Sequence, residues 1–307
     1  MKVVPVYDSV CWQHPSATTV GFFDGVHKGH RYLIEQLKEH AQTMGLLSSV
    51  VTFSVHPKKI LQPDSPVQLL NSYDERIRQL ASIKLDYCYV IPFSQTFSET
   101  TAEDFIQNFL HKQLNVQFLL IGYDHKFGRR RTQSFEDYAK SAHACGIKVV
   151  QAKECYDAAA PVSSTQIRHA IQCGDMPRAA EMLSYPYSLE GTVVFGNRLG
   201  RTIGFPTANL LMNEPDKLLP PNGVYASTAI VDGKRYASMT YIGKRPTVSS
   251  HGEKRIETHL FQFKQNLYGQ NLQIELHHFI RPDKAFGSLE ELREQLLRDQ
   301  HSAEAVT

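Results

Sequence analysis

Two histidines three residues apart stand near the start of the chain, in residues 21–30, which read GFFDGVHKGH. The apolar run 18–23 predicts a strand, the glycines allow a tight turn, and a helix is predicted to follow at once. Backbone amides at a helix N-terminus attract anions, and His27 and His30 can both donate hydrogen bonds to one negative charge that develops on phosphorus. The segment therefore predicts a phosphate site, with two surface histidines beside a turn as the plainer alternative.

A second polar group lies at the start of another predicted helix, in residues 161–168, which read PVSSTQIR. Three hydroxyl side chains, Ser163, Ser164 and Thr165, precede the apolar positions, and Arg168 follows them. Hydroxyls and a guanidinium at a helix start bind triphosphate well. Taken alone, an ordinary N-cap explains the segment equally well, but beside the histidine segment a phosphate role is favoured.

Two more segments follow predicted strands of the same half. Residues 122–128, GYDHKFG, come directly after the apolar run 116–121, and three arginines follow them; residues 52–57 read TFSVHP. The carboxyl ends of parallel strands share one edge of a sheet, so residues 122–128 are expected near the histidines. The arginine run is more simply a solvated basic loop.

The second half carries a glycine-rich segment, residues 191–210, which read GTVVFGNRLGRTIGFPTANL. Its glycines allow a nucleotide to approach the backbone closely, but the absence of G-K-[ST] excludes a Walker loop. Thr207 and Asn209 are two residues apart, so on a strand they share a face and can hold a metal-bound phosphate. Further on, Glu257 can take the proton of a primary hydroxyl, although most strand carboxylates are merely exposed.

The first half of the chain alternates apolar β-type runs with amphipathic stretches. Predicted strands cover 18–23, 48–53, 87–91, 116–121 and 148–152, and predicted helices cover 32–44, 74–83, 101–110 and 135–144. This alternation predicts β-α-β units and hence a doubly wound parallel sheet with helices on both faces.

Beyond residue 184 the pattern changes to short β-type runs separated by Gly and Pro. These runs cover 191–195, 223–231, 236–242, 256–263 and 272–279. Short, evenly spaced strands predict a barrel or sandwich. Ser288 and Glu291 predict a capping box at the start of one late helix, 288–298. The change in pattern places a domain boundary at 184–187.

Composition limits the classes of protein to consider. A length of 307 residues suits two domains, and a formal charge of +2 argues against a nucleic-acid or acidic-membrane partner. No stretch approaches the ~20 apolar residues that span a bilayer, and the N-terminus lacks a signal-peptide layout. Five scattered cysteines without C-x-x-C spacing are expected to be free thiols in a reducing cytoplasm.

The pattern G-x-F-D-G-V-H-x-G-H is similar to the signature of the nucleotidyltransferase superfamily that shares an H-x-G-H loop, and 52–57 and 122–128 resemble its FMN adenylyltransferase branch. The resemblance implies that His27, His30 and Arg168 stabilise the transition state. It implies ATP or phosphate contacts for Gly21, Phe22, Asp24, Gly29, Ser163, Ser164 and Thr165. It implies flavin contacts for Thr52, His56, Pro57, Tyr123, Asp124 and Phe127.

The glycine-rich segment, together with 223–226 (GVYA), 242–247 (IGKRPT) and 256–260 (IETHL), resembles riboflavin kinase. The resemblance implies a six-stranded β-barrel kinase domain with a C-terminal helix, in which Glu257 activates the ribityl 5′-hydroxyl and Mg²⁺ is held near Thr207 and Asn209. It also implies ATP contacts for Gly196, Gly200, Arg201 and Gly204, and a flavin contact for Arg245.

The motifs cover nearly the whole chain in family order, so the chain is identified as a member of the bifunctional riboflavin kinase and FMN adenylyltransferase family. The expected domains are 1–184 for the adenylyltransferase and 185–307 for the kinase. The expected substrates are riboflavin, FMN and ATP with Mg²⁺, in the cytoplasm, without a nucleic-acid or membrane partner; the oligomeric state is open.

Two other classes stay open at this point. One is a single-activity enzyme in which one domain has decayed, and the other is a non-catalytic regulator that binds flavin or nucleotide. Turnover of ATP on addition of riboflavin distinguishes them.

Overall fold

The computed structural model describes residues 1–6, 12–123, 134–157, 160–196, 199–244 and 254–306. Packing divides the chain into two compact units, Met1–Ser163 and Ser164–Thr307. The expected functional boundary between residues 184 and 185 stays a prediction. Within the described ranges, no helix is both long enough and apolar enough to cross a membrane.

The first unit is built on a six-stranded parallel sheet. Its strands are β1 (Lys2–Pro5), β2 (Ser16–Val20), β3 (Leu47–Phe53), β4 (Tyr87–Ile91), β5 (Val116–Ile121) and β6 (Lys148–Gln151). Its helices are α1 (Lys28–Met44), α2 (Pro57–Leu61), α3 (Tyr73–Ser82), α4 (Gln95–Ser98), α5 (Ala102–Asp104), which continues into a π-helix (Phe105–Gln113), and α6 (Phe135–Ala144). A short antiparallel pair, β7 (Tyr156–Asp157) and β8 (Ala160–Pro161), follows. The predicted parallel α/β architecture is confirmed.

The four central strands of the sheet, β2 to β5, are buried on both faces. Consecutive strand residues belong to opposite hydrophobic clusters, for example Val50 and Val51 in β3, or Leu119 and Leu120 in β5. Apolar runs without alternation are typical of such strands, because each residue faces one of two helical layers. Burial on both faces fixes the register, so the ends of the strands hold their loops in place.

The strand order is β1-β4-β3-β2-β5-β6. From β2 the chain passes through β3 and β4 on one side and then crosses to β5 and β6 on the other. Two neighbouring strands whose connections leave in opposite directions form a crevice at their carboxyl ends, where ligands of open α/β sheets bind. The histidine segment follows β2, and Gly122 follows β5, so both lie at this crevice.

The second unit begins with α7 (Ser164–Gln172) and α8 (Met176–Leu183) and continues as a closed barrel. The barrel strands are β9 (Tyr187–Val194), β10 (Ala208–Met212), β11 (Gly223–Val231), β12 (Lys234–Lys244), β13 (Lys254–Leu260) and β14 (Asn271–Pro282). Two helices complete the unit, α9 (Leu199–Thr202) and α10 (Leu289–Glu304). The order β10-β13-β12-β11-β14-β9, antiparallel throughout, confirms the six-stranded barrel.

A chain of hydroxyls lies inside the barrel. Met239 packs with Ala303 of α10 on the outer side of β12, so the neighbouring Ser238 and Thr240 point inward. Ser227 Oγ lies 2.8 Å from both the Ser238 and the Thr240 hydroxyls, and Thr240 Oγ1 lies 2.9 Å from Thr258 Oγ1. All four side chains are fully buried. Because Thr258 points inward, its neighbour Glu257 points outward, on the face opposite the hydroxyl chain.

The capping box predicted at Ser288 forms only in part. Ser288 Oγ accepts the Glu291 N–H at 3.2 Å, as expected. The prediction that Glu291 returns a bond to the Ser288 N–H is wrong, because its carboxylate accepts the N–H of Gly287 at 2.9 Å instead. The side chain thus reaches one residue further and ties the loop before α10 to the helix.

The described cysteines are Cys88, Cys145, Cys155 and Cys173, and all four are free thiols, as expected. Burial raises the pKa of Cys88 to about 12, so this side chain stays a neutral thiol at physiological pH. Cys11 lies outside the described residues.

The last helix is fixed to the barrel by a buried ion pair. Arg281 of β14 donates to Asp299 of α10 through Nε at 2.9 Å and through its terminal nitrogen at 2.7 Å, and Asp299 also accepts from Gln295 at 2.8 Å. The Asp299 side chain is 1% exposed.

We expect Asp299→Ala to destabilise the barrel by about 3 kcal/mol, because the buried partner of Arg281 is lost. The chain's single tryptophan, Trp12, belongs to the first unit. Urea unfolding followed by circular dichroism should therefore show an earlier transition that Trp12 fluorescence does not report. Glu290→Ala, which removes an exposed partner of Arg293, is the control. Equal unfolding curves for both variants would contradict the prediction.

Candidate active sites

The turn between β2 and α1 has unusual backbone geometry. Phe23 and Val26 have positive φ angles of 58° and 37°, and Gly25 has 83°. A β-branched residue rarely adopts such a φ, so the surrounding structure must impose it. The turn reverses the chain within a few residues and directs the N-terminus of α1 toward the carboxyl end of β2.

His27 is the N-cap of α1 and is buried. Its Nδ1 accepts the backbone N–H of His30 at 3.4 Å, so in the neutral ring the proton is on Nε2, which can donate to a ligand. The two imidazole rings stack with centroids 3.7 Å apart. Phe23 contacts the His30 ring edge to face at 5.3 Å. The structure thus brings both predicted histidines together at a helix N-terminus.

Asp24 connects this turn to another loop. Its buried carboxylate accepts the N–H groups of Leu70 at 3.0 Å and Asn71 at 3.1 Å. In this arrangement Asp24 fixes the turn, and the ATP contact that the resemblance implied for it stays a prediction. The space beside Gly29 is also limited, since a Cβ there would lie 3.1 Å from the Val162 carbonyl oxygen and 3.2 Å from the His27 ring.

Arg76 of α3 is a site residue that sequence reasoning missed. Its guanidinium donates to the carbonyl of Phe22 at 2.9 Å and to that of Phe53 at 2.6 Å, and it lies 3.9 Å from the Phe22 ring centroid. The residue is 1% exposed, and burial lowers its pKa to about 10 although Asp24 opposes the shift. Arg76 therefore holds the chain just beyond β2 against the end of β3. The signal in the sequence is its position four residues before the buried Leu80, on the apolar face of the helix.

The predicted flavin residues at β3 also contact Phe22. Thr52 Oγ1 donates to the Phe22 carbonyl at 3.2 Å, and the ring of His56 lies 4.5 Å from the Phe22 ring. His56 caps α2 by accepting the Lys58 N–H at 3.1 Å, and Pro57 is the first residue of that helix. These residues lie beside the turn between β2 and α1 that ends at His27, called the histidine turn below.

The other predicted positions of this half are placed as follows. Gly21 lies directly after β2, and a Cβ there would be 2.9 Å from the ring of Phe23. Tyr123 follows β5 and is 60% exposed, which leaves its ring available to a ligand. Asp124 and Phe127 lie outside the described residues.

The segment 161–168, which carries the three predicted hydroxyl side chains, overlaps the start of α7. Ser164 is the first residue of this helix, Thr165 is exposed in its first turn, and Arg168 is partly buried one turn later. Ser163 is the last residue of the first packing unit. The predicted order of hydroxyls and guanidinium along a helix start is thus present.

Glu257 lies at the centre of a polar cluster on β13. It is paired in register with Asn209 of β10 on one side and with Tyr241 of β12 on the other. Thr207 donates its hydroxyl to Glu257 Oε2 at 3.0 Å. Arg255 makes an ion pair with Glu257 Oε1, and its Nε donates to Asn209 Oδ1 at 3.3 Å. The structure brings the predicted Thr207, Asn209 and Glu257 together and adds Arg255, to which sequence reasoning gave no role.

Two neighbours hold this cluster in place. His259 Nδ1 lies 2.7 Å from the Pro206 carbonyl oxygen and donates to it, which fixes the segment that carries Thr207. Burial lowers the pKa of His259, so its ring is neutral at physiological pH. Tyr241 donates to Asp283 at 3.0 Å, and burial together with this bond raises its pKa to about 12. Both groups are therefore neutral at physiological pH.

The glycine-rich segment makes room for the protein's own atoms. A Cβ at Gly200 would lie 2.2 Å from the Phe205 carbonyl oxygen, and Gly204 has a φ of +90°. Arg201 is exposed, and Arg245 lies outside the described residues. The tight turns at these glycines position Thr207.

We expect Gly196→Ala to lower kinase turnover about tenfold, since a Cβ there would lie 2.3 Å from the Asn209 amide nitrogen. The amide can rotate away only by giving up its bond with Arg255, so activity should fall more than stability. Steady-state kinetics and thermal melting check this. Gly287→Ala, where the nearest atom is 3.5 Å away, is the control, and equal rates for both variants would contradict the prediction.

The donor set of the barrel cluster fits a magnesium ion. A hydroxyl from Thr207, an amide oxygen from Asn209 and a carboxylate from Glu257 are hard oxygen ligands, which Mg²⁺ prefers. Across the described ranges, no group of three or more His, Cys, Asp or Glu side chains could hold a metal ion.

Two family models match the chain in sequence. One described as FAD synthetase matches residues 11–166, and one described as riboflavin kinase matches residues 183–307. The first contains the histidine turn and the second contains the Glu257 cluster.

Curated relatives match nearly the whole chain under one description, bifunctional riboflavin kinase/FMN adenylyltransferase. The protein from Haemophilus influenzae is 37% identical, covering 94% of this chain and 93% of the relative. The Listeria monocytogenes protein is 36% identical, with coverages of 93% and 90%. The Escherichia coli K12 protein is 34% identical, with coverages of 95% and 92%.

A crystal structure described as a macrolide-efflux protein from Streptococcus pneumoniae has a TM-score of 0.90 at 29% identity and covers 99% of both chains. This similarity supports the fold of both units. The function follows instead from the two family models and the curated relatives, whose descriptions agree. The chain belongs to the family of bifunctional riboflavin kinase/FMN adenylyltransferases.

Proposed function

We propose that this chain carries out two consecutive ATP-dependent steps, with phosphorylation of riboflavin to FMN in the barrel and adenylylation of FMN to FAD in the sheet unit. The observation that carries the proposal is that each family motif forms a cluster of polar side chains on its own scaffold. In the sheet unit this cluster is the histidine turn at the crevice, and in the barrel it is the Glu257 cluster.

In the kinase step, Glu257 accepts the proton of the ribityl 5′-hydroxyl as that oxygen attacks the γ-phosphorus of ATP, and ADP leaves. The bond from Thr207 orients the carboxylate. Thr207 and Asn209 would hold Mg²⁺, which supplies positive charge that neutralises the phosphate oxygens. Of the groups in this cluster, Glu257 is the proposed proton acceptor.

In the adenylyltransferase step, the phosphate of FMN attacks the α-phosphorus of ATP and pyrophosphate leaves. The nucleophile is already an anion, so the step requires no protein base. His27 donates from Nε2, and the amides at the start of α1 add further donors to the developing charge. His30 would support His27 through their stacked rings. The phosphate role of Ser164 and Arg168 stays a prediction from the sequence.

Flavin is proposed to bind beside Thr52, His56, Pro57 and Tyr123. These residues lie at or beyond the carboxyl ends of β3 and β5, on either side of β2. Flavin bound there would bring its phosphate close to the N-terminus of α1.

Incubation with riboflavin, ATP and Mg²⁺, with the flavins resolved by chromatography over time, tests the proposal. FMN that appears before FAD supports both activities and their order. FMN alone would contradict the adenylyltransferase role, and no conversion of either riboflavin or FMN would contradict both. A parallel reaction with excess EDTA should stop the kinase step.

A further inference from the structure

Arg255 lies two residues before Glu257 on β13, so both side chains leave the same face of the strand. The guanidinium pairs with Glu257 Oε1 and, through Nε, binds Asn209 Oδ1. The other carboxylate oxygen accepts from Thr207. One arginine therefore bridges the proposed base and a proposed metal ligand.

The charges in this cluster change when ATP arrives. Without nucleotide, the positive charge of Arg255 balances the negative charge of Glu257. The transferring phosphoryl group carries negative charge on its oxygens, and a kinase stabilises that charge with cations. A guanidinium matches phosphate oxygens with two parallel donors. The Arg255 side chain is 27% exposed, so a ligand can reach it without unfolding of the barrel.

We propose that Arg255 is a catalytic residue of the kinase, which leaves Glu257 when ATP binds and contacts the oxygens of the transferring γ-phosphoryl group. The proposal rests on the proposed kinase function. In the step, Glu257 takes the 5′-hydroxyl proton, a bond forms between O5′ and the γ-phosphorus, and the bond from that phosphorus to the bridging oxygen breaks to release ADP.

This exchange of partners gives Arg255 two roles in sequence. Before nucleotide binds, it holds the carboxylate beside Asn209. Once it has moved to the phosphoryl group, the freed Glu257 oxygen faces the incoming hydroxyl. An arginine that only oriented Glu257 would contact no phosphate. Its loss would then weaken binding of nucleotides with and without a γ-phosphate equally, whereas loss of an arginine that contacts the γ-phosphoryl group would weaken the former more.

Inhibition of the kinase reaction by two nucleotides separates these cases. ADP lacks the γ-phosphate, whereas the non-hydrolysable β,γ-imido analogue of ATP has it. We expect Arg255→Gln to lower kinase kcat about 100-fold and to raise the inhibition constant of the imido analogue about tenfold more than that of ADP. Arg255→Lys keeps the positive charge but loses the two parallel donors of the guanidinium. Its kcat and its inhibition constants should lie between those of the parent and those of Arg255→Gln.

Arg235→Gln is the matched control, because Arg235 makes an ion pair with Glu275 in the same barrel, away from the Glu257 cluster. It should leave both inhibition constants unchanged. Equal changes in the two constants for Arg255→Gln, or no change, would overturn the proposal. Should Arg255→Gln fail to fold, the same pair of constants in Arg255→Lys decides. A parent protein without kinase activity would instead contradict the proposed function.

Discussion

Glu257→Gln should lower the conversion of riboflavin to FMN by about 10²- to 10⁴-fold, the usual contribution of a general base. Glutamine has nearly the same shape: its amide oxygen can accept from Arg255 while its NH2 group donates to the Thr207 hydroxyl, so the cluster should keep its geometry while losing the proton acceptor. The residue lies in the second packing unit and the histidine turn in the first, so conversion of FMN to FAD should be unchanged. Separate assays that start from riboflavin and from FMN measure the two effects.

The barrel provides a matched control for this substitution. Glu275 also lies on a barrel strand and also pairs with an arginine, Arg235. Glu275→Gln should therefore retain the parent kinase rate. If Glu257→Gln phosphorylates riboflavin as fast as Glu275→Gln, Glu257 is not the base.

His27→Asn should lower FMN adenylylation about 100-fold and leave the kinase rate unchanged. Asparagine is a good N-cap, so its side-chain oxygen can replace Nδ1 in accepting the His30 N–H. The Nε2 donor is lost, and removal of one positioned donor to a developing charge costs about 10²- to 10³-fold in turnover. The rate of FAD formation from FMN at saturating substrates is the measurement.

His27→Asn removes the donor to phosphate but keeps the cap of α1, whereas alanine at this position would remove both. His111→Asn, on the π-helix of the same unit, controls for the general effect of replacing a histidine. An adenylylation rate equal to that of the control would mean that His27 only caps α1.

The local elements follow closely from the sequence. Helix α6 and strands β4, β5 and β11 have the predicted bounds, since their apolar positions have a clear period and turn residues flank them. The short strand β1 was missed because most of its residues are exposed and it ends in proline. The π-helix was expected as an α-helix from Thr101, and periodicity does not reveal one extra residue in a turn.

The site was predictable in its parts and less so in its assembly. Spacing placed Thr207 and Asn209 on one face, but the pairing of Asn209 with Glu257 depends on which strands are neighbours, which is a non-local property. The apolar runs gave five barrel strands, and β10 entered only through the family resemblance. Arg76 and Arg255 were missed because an arginine in a sequence is usually solvated, and only their contacts show otherwise.

The hydroxyl chain inside the barrel restricts which strand pairings can survive folding. A one-residue slip of β13 would turn Glu257 into the barrel and Thr258 out of it. The slip would break the buried bond between Thr240 and Thr258, at a cost of about 1 kcal/mol, while the bonds of Ser227 to Ser238 and Thr240 would remain. Side chains that never meet a substrate thus discriminate against mispaired barrels, so a chain that has closed its barrel has already placed its proposed catalytic carboxylate on the correct side.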